Sequence, residues 1–271
     1  GRSLLPLLRG RYRVFATTSS PERCAELRAL GAVPIVADLD HPASLRRLAG
    51  LASTIVHLAP PQGEGPLDRR TRNLTAILPE HARLVYVSTT GVYGDCGGAL
   101  FDETRPVAPR NPRATRRVDA ESVLRRWAVR SDSTLSILRV PGIYGAERLP
   151  RKRLEQGTPA LIAEQDVYTN HIHADDLAAI IVRALRHGKP NRLYHAVDDS
   201  NMKMADYFDA VADALGLARP PRLPRAQLQQ VVTPALLSFM SESRRLVNGR
   251  IKRELGVRLQ HATVASLLAT L

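Results

Sequence analysis

The stretch Arg83-Leu84-Val85-Tyr86-Val87-Ser88-Thr89-Thr90-Gly91-Val92-Tyr93-Gly94 narrows what this chain can fold into more than any other. Leu84, Val85 and Val87 suit a strand buried on both faces, as in a parallel sheet. Ser88 to Gly94 then place hydroxyls and glycine turns at the carboxyl end of that strand, where open α/β sheets bind their ligands.

The surrounding sequence repeats the pattern. Residues 3–9 read as the end of a Leu-rich helix, 12–17 as a strand, and Ser20-Pro21 as the cap and first turn of a helix that stops at Gly31. Strands are expected at 33–37, 54–58, 134–139 and 193–197, and helices at 44–48 and 67–78. Ala120, Val123, Leu124 and Trp127 fall on one helix face, as do Leu177, Ile180, Ile181 and Ala184. Strands alternating with helices at this spacing predict βαβ units, a parallel sheet and right-handed crossovers. The fold class is therefore α/β, a Rossmann-type doubly wound sheet. Residues 1–140 and 166–198 form the larger domain, and 141–165 with 199–271 a smaller lobe.

Composition removes several function classes. The chain has 271 residues and is 44% apolar, enough for a large core. No apolar run approaches the roughly 18 residues of a membrane span. Gly1-Arg2-Ser3-Leu4-Leu5-Pro6 lacks the features of a signal peptide. With only Cys24 and Cys96, no disulfide framework is expected and the cytoplasm is the expected compartment. The net charge is +13, yet the arginines are scattered and aromatics make up 4% of residues. A solvated, Arg-biased surface explains this better than nucleic-acid binding.

Val87-Ser88-Thr89-Thr90-Gly91-Val92-Tyr93-Gly94 resembles the Ser-Ser/Thr…Val-Tyr-Gly segment of the extended short-chain dehydrogenase/reductase family of epimerases and dehydratases. Leu138-Arg139-Val140-Pro141-Gly142-Ile143-Tyr144-Gly145 is similar to that family's Leu-Arg-x-x-x-x-Tyr-Gly stretch. Asn170-His171-Ile172-His173-Ala174-Asp175-Asp176-Leu177-Ala178 looks like its Ile-His-Val-x-Asp-Val-Ala stretch, and residues 244–256 resemble its C-terminal helix. The resemblance implies an NAD(P)-dependent epimerase, dehydratase or reductase acting on a sugar-nucleotide-like or other carbonyl or hydroxyl substrate, and allows a homodimer.

The chain departs from that pattern in two places. The family's first strand and glycine-rich turn are not in the sequence, with Gly1 standing where the turn's last glycine would be; the resemblance implies that residues precede it and that strand edges are otherwise left unpaired. The family's Tyr-x-x-x-Lys pair is replaced, on alignment at Ala120-Glu121, by Arg113 and Arg117. Arginine keeps its proton in proteins and makes a poor general base. A non-catalytic NADP-binding sensor or scaffold is therefore the alternative to an enzyme.

The resemblance assigns Ser88 and Thr89 to orienting a substrate hydroxyl or carbonyl, with Thr90 lining the site; strand-end hydroxyls capping backbone groups are the plainer reading. Tyr93 is the remaining acid/base candidate, against a tyrosine packed under the loop with its hydroxyl bonded. Arg113, Tyr144 and His173 are expected on the substrate side. The cofactor is expected against Gly1, Asp38-Leu39, Leu58-Ala59-Pro60, Arg117 and Pro141. Thr18, Ser19 and Arg23 replace the acidic residue that accepts from a ribose 2′-OH, which points to NADP rather than NAD. No metal is expected: His171 and His173 with Asp175 and Asp176 do not have zinc spacing. Ser88, His171 and Asp176 lack the elbow of a hydrolase triad.

Overall fold

The computed structural model describes residues 1–271, the side chains of 234 and 235 excepted. Helix α1 (Leu4–Leu8) leads through a turn to strand β1 (Phe15–Thr18), helix α2 (Cys24–Ala29) and strand β2 (Val33–Val36). Strand β3 (Thr54–His57), helix α3 (Arg69–Thr75) and strand β4 (Arg83–Thr89) follow, then a short strand β5 (Leu100–Phe101). Helix α4 (Pro112–Arg130) carries the chain to β6 (Thr134–Val140).

The sheet is parallel, as expected. β4 pairs with β3 on one side and β6 on the other, so that Val85 stands between Val56 and Ser136. Strand β1 pairs in parallel with β2 as a separate ladder, and β1 and β3 each keep one edge without a ladder partner among the described residues. Alternation along β4 explains its burial on both faces. Leu84 and Tyr86 pack with Leu135, Ile137 and the Ala120, Leu124 and Trp127 face of α4. Val85 faces the other way, into a second core. Each of these side chains contributes about 1.5–3 kcal/mol on burial.

Beyond β6 come β7 (Gly142–Tyr144), α5 (Arg151–Glu155), β8 (Ala160–Leu161), β9 (Tyr168–Thr169), β10 (His171–His173), α6 (Ala174–His187) and β11 (Arg192–His195). β11 completes the main sheet beside β6, giving the order β11-β6-β4-β3. The remaining elements are β12 (Met202–Lys203), α7 (Met204–Ala214), β13 (Arg222–Leu223), α8 (Arg225–Val231), α9 (Pro234–Phe239), β14 (Arg245–Leu246), α10 (Gly249–Leu255) and α11 (Val264–Leu268). Tyr144, Leu154, Tyr207, Phe208, Val211 and Val264 gather into a small-lobe core. Helix α10 does not join it. Ile251 and Leu255 pack with Ile180, Ile181 and Ala184 of α6 in the core on the sheet's second face, so this part of residues 199–271 belongs with the larger body.

Local expectations shift where hydrogen bonding overrides propensity. Residues 12–14 are not strand, because the N–H groups of Arg11 and Tyr12 close the end of α1 onto Leu8. Ser20 does not cap: the Thr18 hydroxyl takes the Ser20 N–H, and residues 21–23 form a 3-10 turn ahead of α2. Residues 44–48 lie in a 3-10 turn, Pro42–Leu48. α3 is shorter than the expected 67–78 because the Asp68 carboxylate caps it through the Thr71 N–H. No helix is long and apolar enough to cross a membrane.

Candidate active site

Parallel strands bring their carboxyl ends to one edge of the sheet. There the half-exposed loop Leu58-Ala59-Pro60 after β3, Thr89 after β4 and Pro141 after β6 converge. A methyl group added to Gly1 would lie 3.9 Å from Leu58 Cδ1, which places the start of α1 beside this loop.

The three hydroxyls after β4 have different fates. Ser88 is 3% exposed and donates to Glu121 Oε1 at 2.6 Å. Thr90 is buried in the 3-10 turn Thr90–Tyr93. Thr89 is half-exposed; its oxygen accepts the Gly91 N–H at 3.2 Å, leaving its own proton for a ligand. Gly94 closes the turn at φ 63°, where a Cβ would stand 2.4 Å from the Ala108 carbonyl oxygen, so only glycine fits.

Several residues expected to face a substrate do not. The Tyr93 hydroxyl donates at 2.6 Å to His195 Nε2, while His195 Nδ1–H donates to the Val247 carbonyl at 3.1 Å. Tyr93 is 1% exposed, and burial pushes its hydroxyl up to about 12. The packed alternative is the observed one. Tyr144 is equally buried, its hydroxyl 3.4 Å from the His261 carbonyl, and burial raises its pKa. His173 caps α6 by accepting the Asp175 N–H at 3.2 Å, and stacks on His261 at 3.8 Å. The Asp176 carboxylate holds the Gln260 and His261 N–H groups, which removes it from any triad with Ser88.

Arg113 is exposed on the first turn of α4. Arg117 is 8% exposed and turns into the protein, where Nη1 donates at 2.9 Å to both the Tyr86 hydroxyl and the Val87 carbonyl. Its charge therefore braces β4. Beneath it His57 stacks on Tyr86, and its Nε2–H donates at 3.1 Å to the Thr71 hydroxyl, which in turn donates to Asp68. Burial, reinforced by Arg117, lowers the His57 pKa to about 3, so the ring is neutral.

At the far end of the crevice, Ser19 and Arg23 are exposed, and Arg23 makes only a 3.4 Å contact with Glu26. Thr18 is spent on the local turn. Asp38 is likewise committed, accepting from the Asp40 N–H and meeting His41 Nδ1 at 3.0 Å, and the Leu39 carbonyl accepts from Asn73.

The side chains that hold the site together escaped sequence reasoning. Glu121 accepts from Ser88 and forms a two-pronged pair with Arg139, whose Nε and Nη2 lie 3.1 and 2.7 Å from its oxygens. The Arg139 guanidinium sits 4.6 Å from the centre of the Tyr93 ring. Glu103 then takes the His195 backbone N–H at 3.0 Å. An arginine inside the apolar run Leu135-Ser136-Ile137-Leu138-Arg139-Val140 was the available signal, because a charge on a buried strand needs a partner.

The geometry has counterparts among known proteins. The model of the NAD dependent epimerase/dehydratase family matches residues 1–196. Human dTDP-D-glucose 4,6-dehydratase is 28% identical over 121 residues, covering 42% of this chain and 35% of that protein. Protein YeeZ of Escherichia coli K12 is 28% identical over 176 residues, 62% of this chain and 61% of that protein. The matches thus span between about a third and three fifths of these relatives' lengths. A conserved protein of unknown function from Silicibacter pomeroyi DSS superposes with a TM-score of 0.81 at 30% identity, covering 99% of this chain and 93% of that one. DesIV of Streptomyces venezuelae, a dTDP-glucose 4,6-dehydratase solved as a double mutant with NAD bound, gives 0.76 at 21% identity, with 98% and 91% covered; at that identity the likeness is one of fold.

Proposed function

Because this chain belongs to the NAD dependent epimerase/dehydratase family, we propose that it binds a dinucleotide across the carboxyl ends of its strands and acts on a sugar-nucleotide-like or other carbonyl or hydroxyl substrate. The observation that carries this reading is Thr89, a hydroxyl with a free proton at the mouth of β4, flanked by Leu58-Ala59-Pro60 and Pro141. Gly1 leaves open space for a dinucleotide path along this edge: apart from Leu58 Cδ1 at 3.9 Å, no atom outside its chain neighbours stands within 4 Å of where a Cβ would be.

Gly1, Leu58, Ala59 and Pro60 would line the adenosine and phosphate path, and Ser19 with Arg23 would face the ribose 2′ position. A bound nicotinamide would supply hydride exchange. Thr89 orients the substrate oxygen, donating to a carbonyl or accepting from a hydroxyl. Arg113 cannot shuttle a proton; it supplies a fixed charge that steadies an alkoxide or a substrate phosphate.

NADP is the favoured form of the cofactor, since the exposed Arg23 has only a weak partner to give up. Arg23→Ala should weaken NADPH binding about tenfold, the worth of one charge-assisted contact, and leave NADH unchanged. Thermal shifts with each nucleotide measure this, and equal losses for both would remove the assignment.

The second reading, a non-catalytic sensor or scaffold, draws on the sealed Tyr93 hydroxyl and the inward turn of Arg117. NADPH oxidation across a carbonyl panel separates the two. The enzyme reading expects turnover that falls about tenfold or more in Thr89→Val. The sensor reading expects none in the native chain, with activity appearing once Arg113→Tyr and Arg117→Lys restore a proton donor, an effect on the order of 10²-fold. Tight NADPH binding with no turnover on any substrate would set the enzyme reading aside.

A further inference from the structure

A second concave feature lies away from the crevice, where α1 packs against α6. Pro6, Leu7, Ala179 and Val182 form its floor, and Arg9, Arg11, Arg183 and Arg186 its walls, around a volume of about 500 Å³. These arginines are up to 177 residues apart in sequence. None of the four pairs with a carboxylate among the described residues, and no acidic side chain lines the groove. Arg183 donates Nε to the Leu255 carbonyl at 2.6 Å; Arg9, Arg11 and Arg186 make no side-chain hydrogen bond among the described residues. Leu7 is 43% exposed on the floor.

Arg186, in the last turn of α6, complements the helix dipole there. That does not explain why Arg9 and Arg11, from a different segment, converge on the same space. Three guanidiniums without partners, with Arg183 held against the end of α10, repel one another and match an occupant carrying carboxylates beside an apolar stripe. The lining has no aromatic ring on which a base could stack, which argues against a nucleic acid. Its concavity does not fit the plane of a bilayer.

We propose that this groove docks an acidic amphipathic segment of a partner protein, with its apolar stripe on the exposed Pro6 and Leu7 and its carboxylates on Arg9, Arg11 and Arg186. The groove shares no lining residue with the crevice, so the proposal stands independently of the cofactor.

The test uses the whole chain and a labelled peptide of about 15 residues, long enough to form a helix on binding, with leucines on one face and Asp/Glu on the other. Fluorescence anisotropy should show saturable binding. The combined variant Arg9→Glu, Arg11→Glu and Arg186→Glu should weaken it about tenfold or more, while Arg126→Glu with Arg130→Glu on α4 changes it little. Leu7→Ser, which keeps every charge, should weaken it several-fold, roughly the share of one buried apolar side chain. Thermal melts confirm that each variant is folded. Equal weakening by the α4 pair, equal binding of a scrambled peptide, or displacement by duplex DNA at comparable concentration would each overturn the proposal.

Discussion

Glu121→Ala is expected to destabilise the protein by about 3–5 kcal/mol, the usual result of removing one partner from a buried ion pair. Both side chains of the Glu121–Arg139 pair are only 6% exposed, so water cannot replace the lost carboxylate. Arg139 would keep its charge, with the face of Tyr93 as its nearest compensation, and the Ser88 hydroxyl would lose its acceptor. The cost therefore comes from the orphaned guanidinium more than from the attraction lost. Replacing both members together, Glu121→Leu with Arg139→Met, should recover most of the stability, because neither group is then left unpaired. Urea unfolding of the two single variants and the double closes the cycle. A loss below about 1 kcal/mol for Glu121→Ala would show that the pair does not carry the weight its geometry suggests. Since Ser88 adjoins Thr89, the double variant should also turn over its substrate more slowly even where it is stable.

The second large effect is acid sensitivity beginning near neutrality. Burial holds His57 and His195 at about 3 and His171 at about 4, against an ordinary value of 6.5. Between these limits the unfolded chain binds protons at all three rings and the folded chain does not. Stability is then fully present above 6.5 and lost as pH falls. Asp198 works in the opposite sense: burial lifts it from 3.8 to about 7, so its contribution is fully present below 3.8, is lost as pH rises to 7, and does not change beyond that. Three rings against one carboxyl leave a net of two protons, or about 3 kcal/mol of stability per pH unit between roughly pH 4 and 6.5. Over that interval the loss comes to about 7 kcal/mol, a large share of a typical total of about 5–15 kcal/mol, so most of the stability margin should be gone by pH 4. Urea midpoints measured from pH 4.5 to 8 test it; a flat profile, or greater stability at pH 5 than at pH 7, would exclude it. Asp198→Asn should steepen the acid limb, from a net of two protons to three, or about 4 kcal/mol per pH unit, and leave the profile above pH 7 unchanged.

The fold was legible because its signals are local. The run Leu84-Val85-Tyr86-Val87, buried on both faces of the sheet, the Ala120-Leu124-Trp127 face and the Leu177-Ile180-Ile181-Ala184 face each depend on residues within a few positions of one another, and each appears where expected. The boundaries that moved, at Ser20 and Leu67, were decided by single hydrogen bonds, from the Ser20 N–H to Thr18 and from the Thr71 N–H to Asp68, that composition does not show. Arg113 and Arg117, expected by resemblance where the family carries its Tyr-x-x-x-Lys pair, do fall on the first turns of α4. Where Arg117 points was not legible in the sequence, because that depends on the Tyr86 hydroxyl lying on the neighbouring strand.

By itself, then, the sequence determined the parallel sheet and the edge at which its strands end. Only the tertiary structure decided which hydroxyls remain free. Tyr93 meets His195 across 102 residues, Ser88 meets Glu121 across 33, and the groove joins Arg9 and Arg11 to Arg183 and Arg186. Periodicity reports which face of an element is apolar, whereas the pairing of buried polar groups depends on which elements the chain brings side by side, and that is settled only when the sheet order and the packing of its helices are in place.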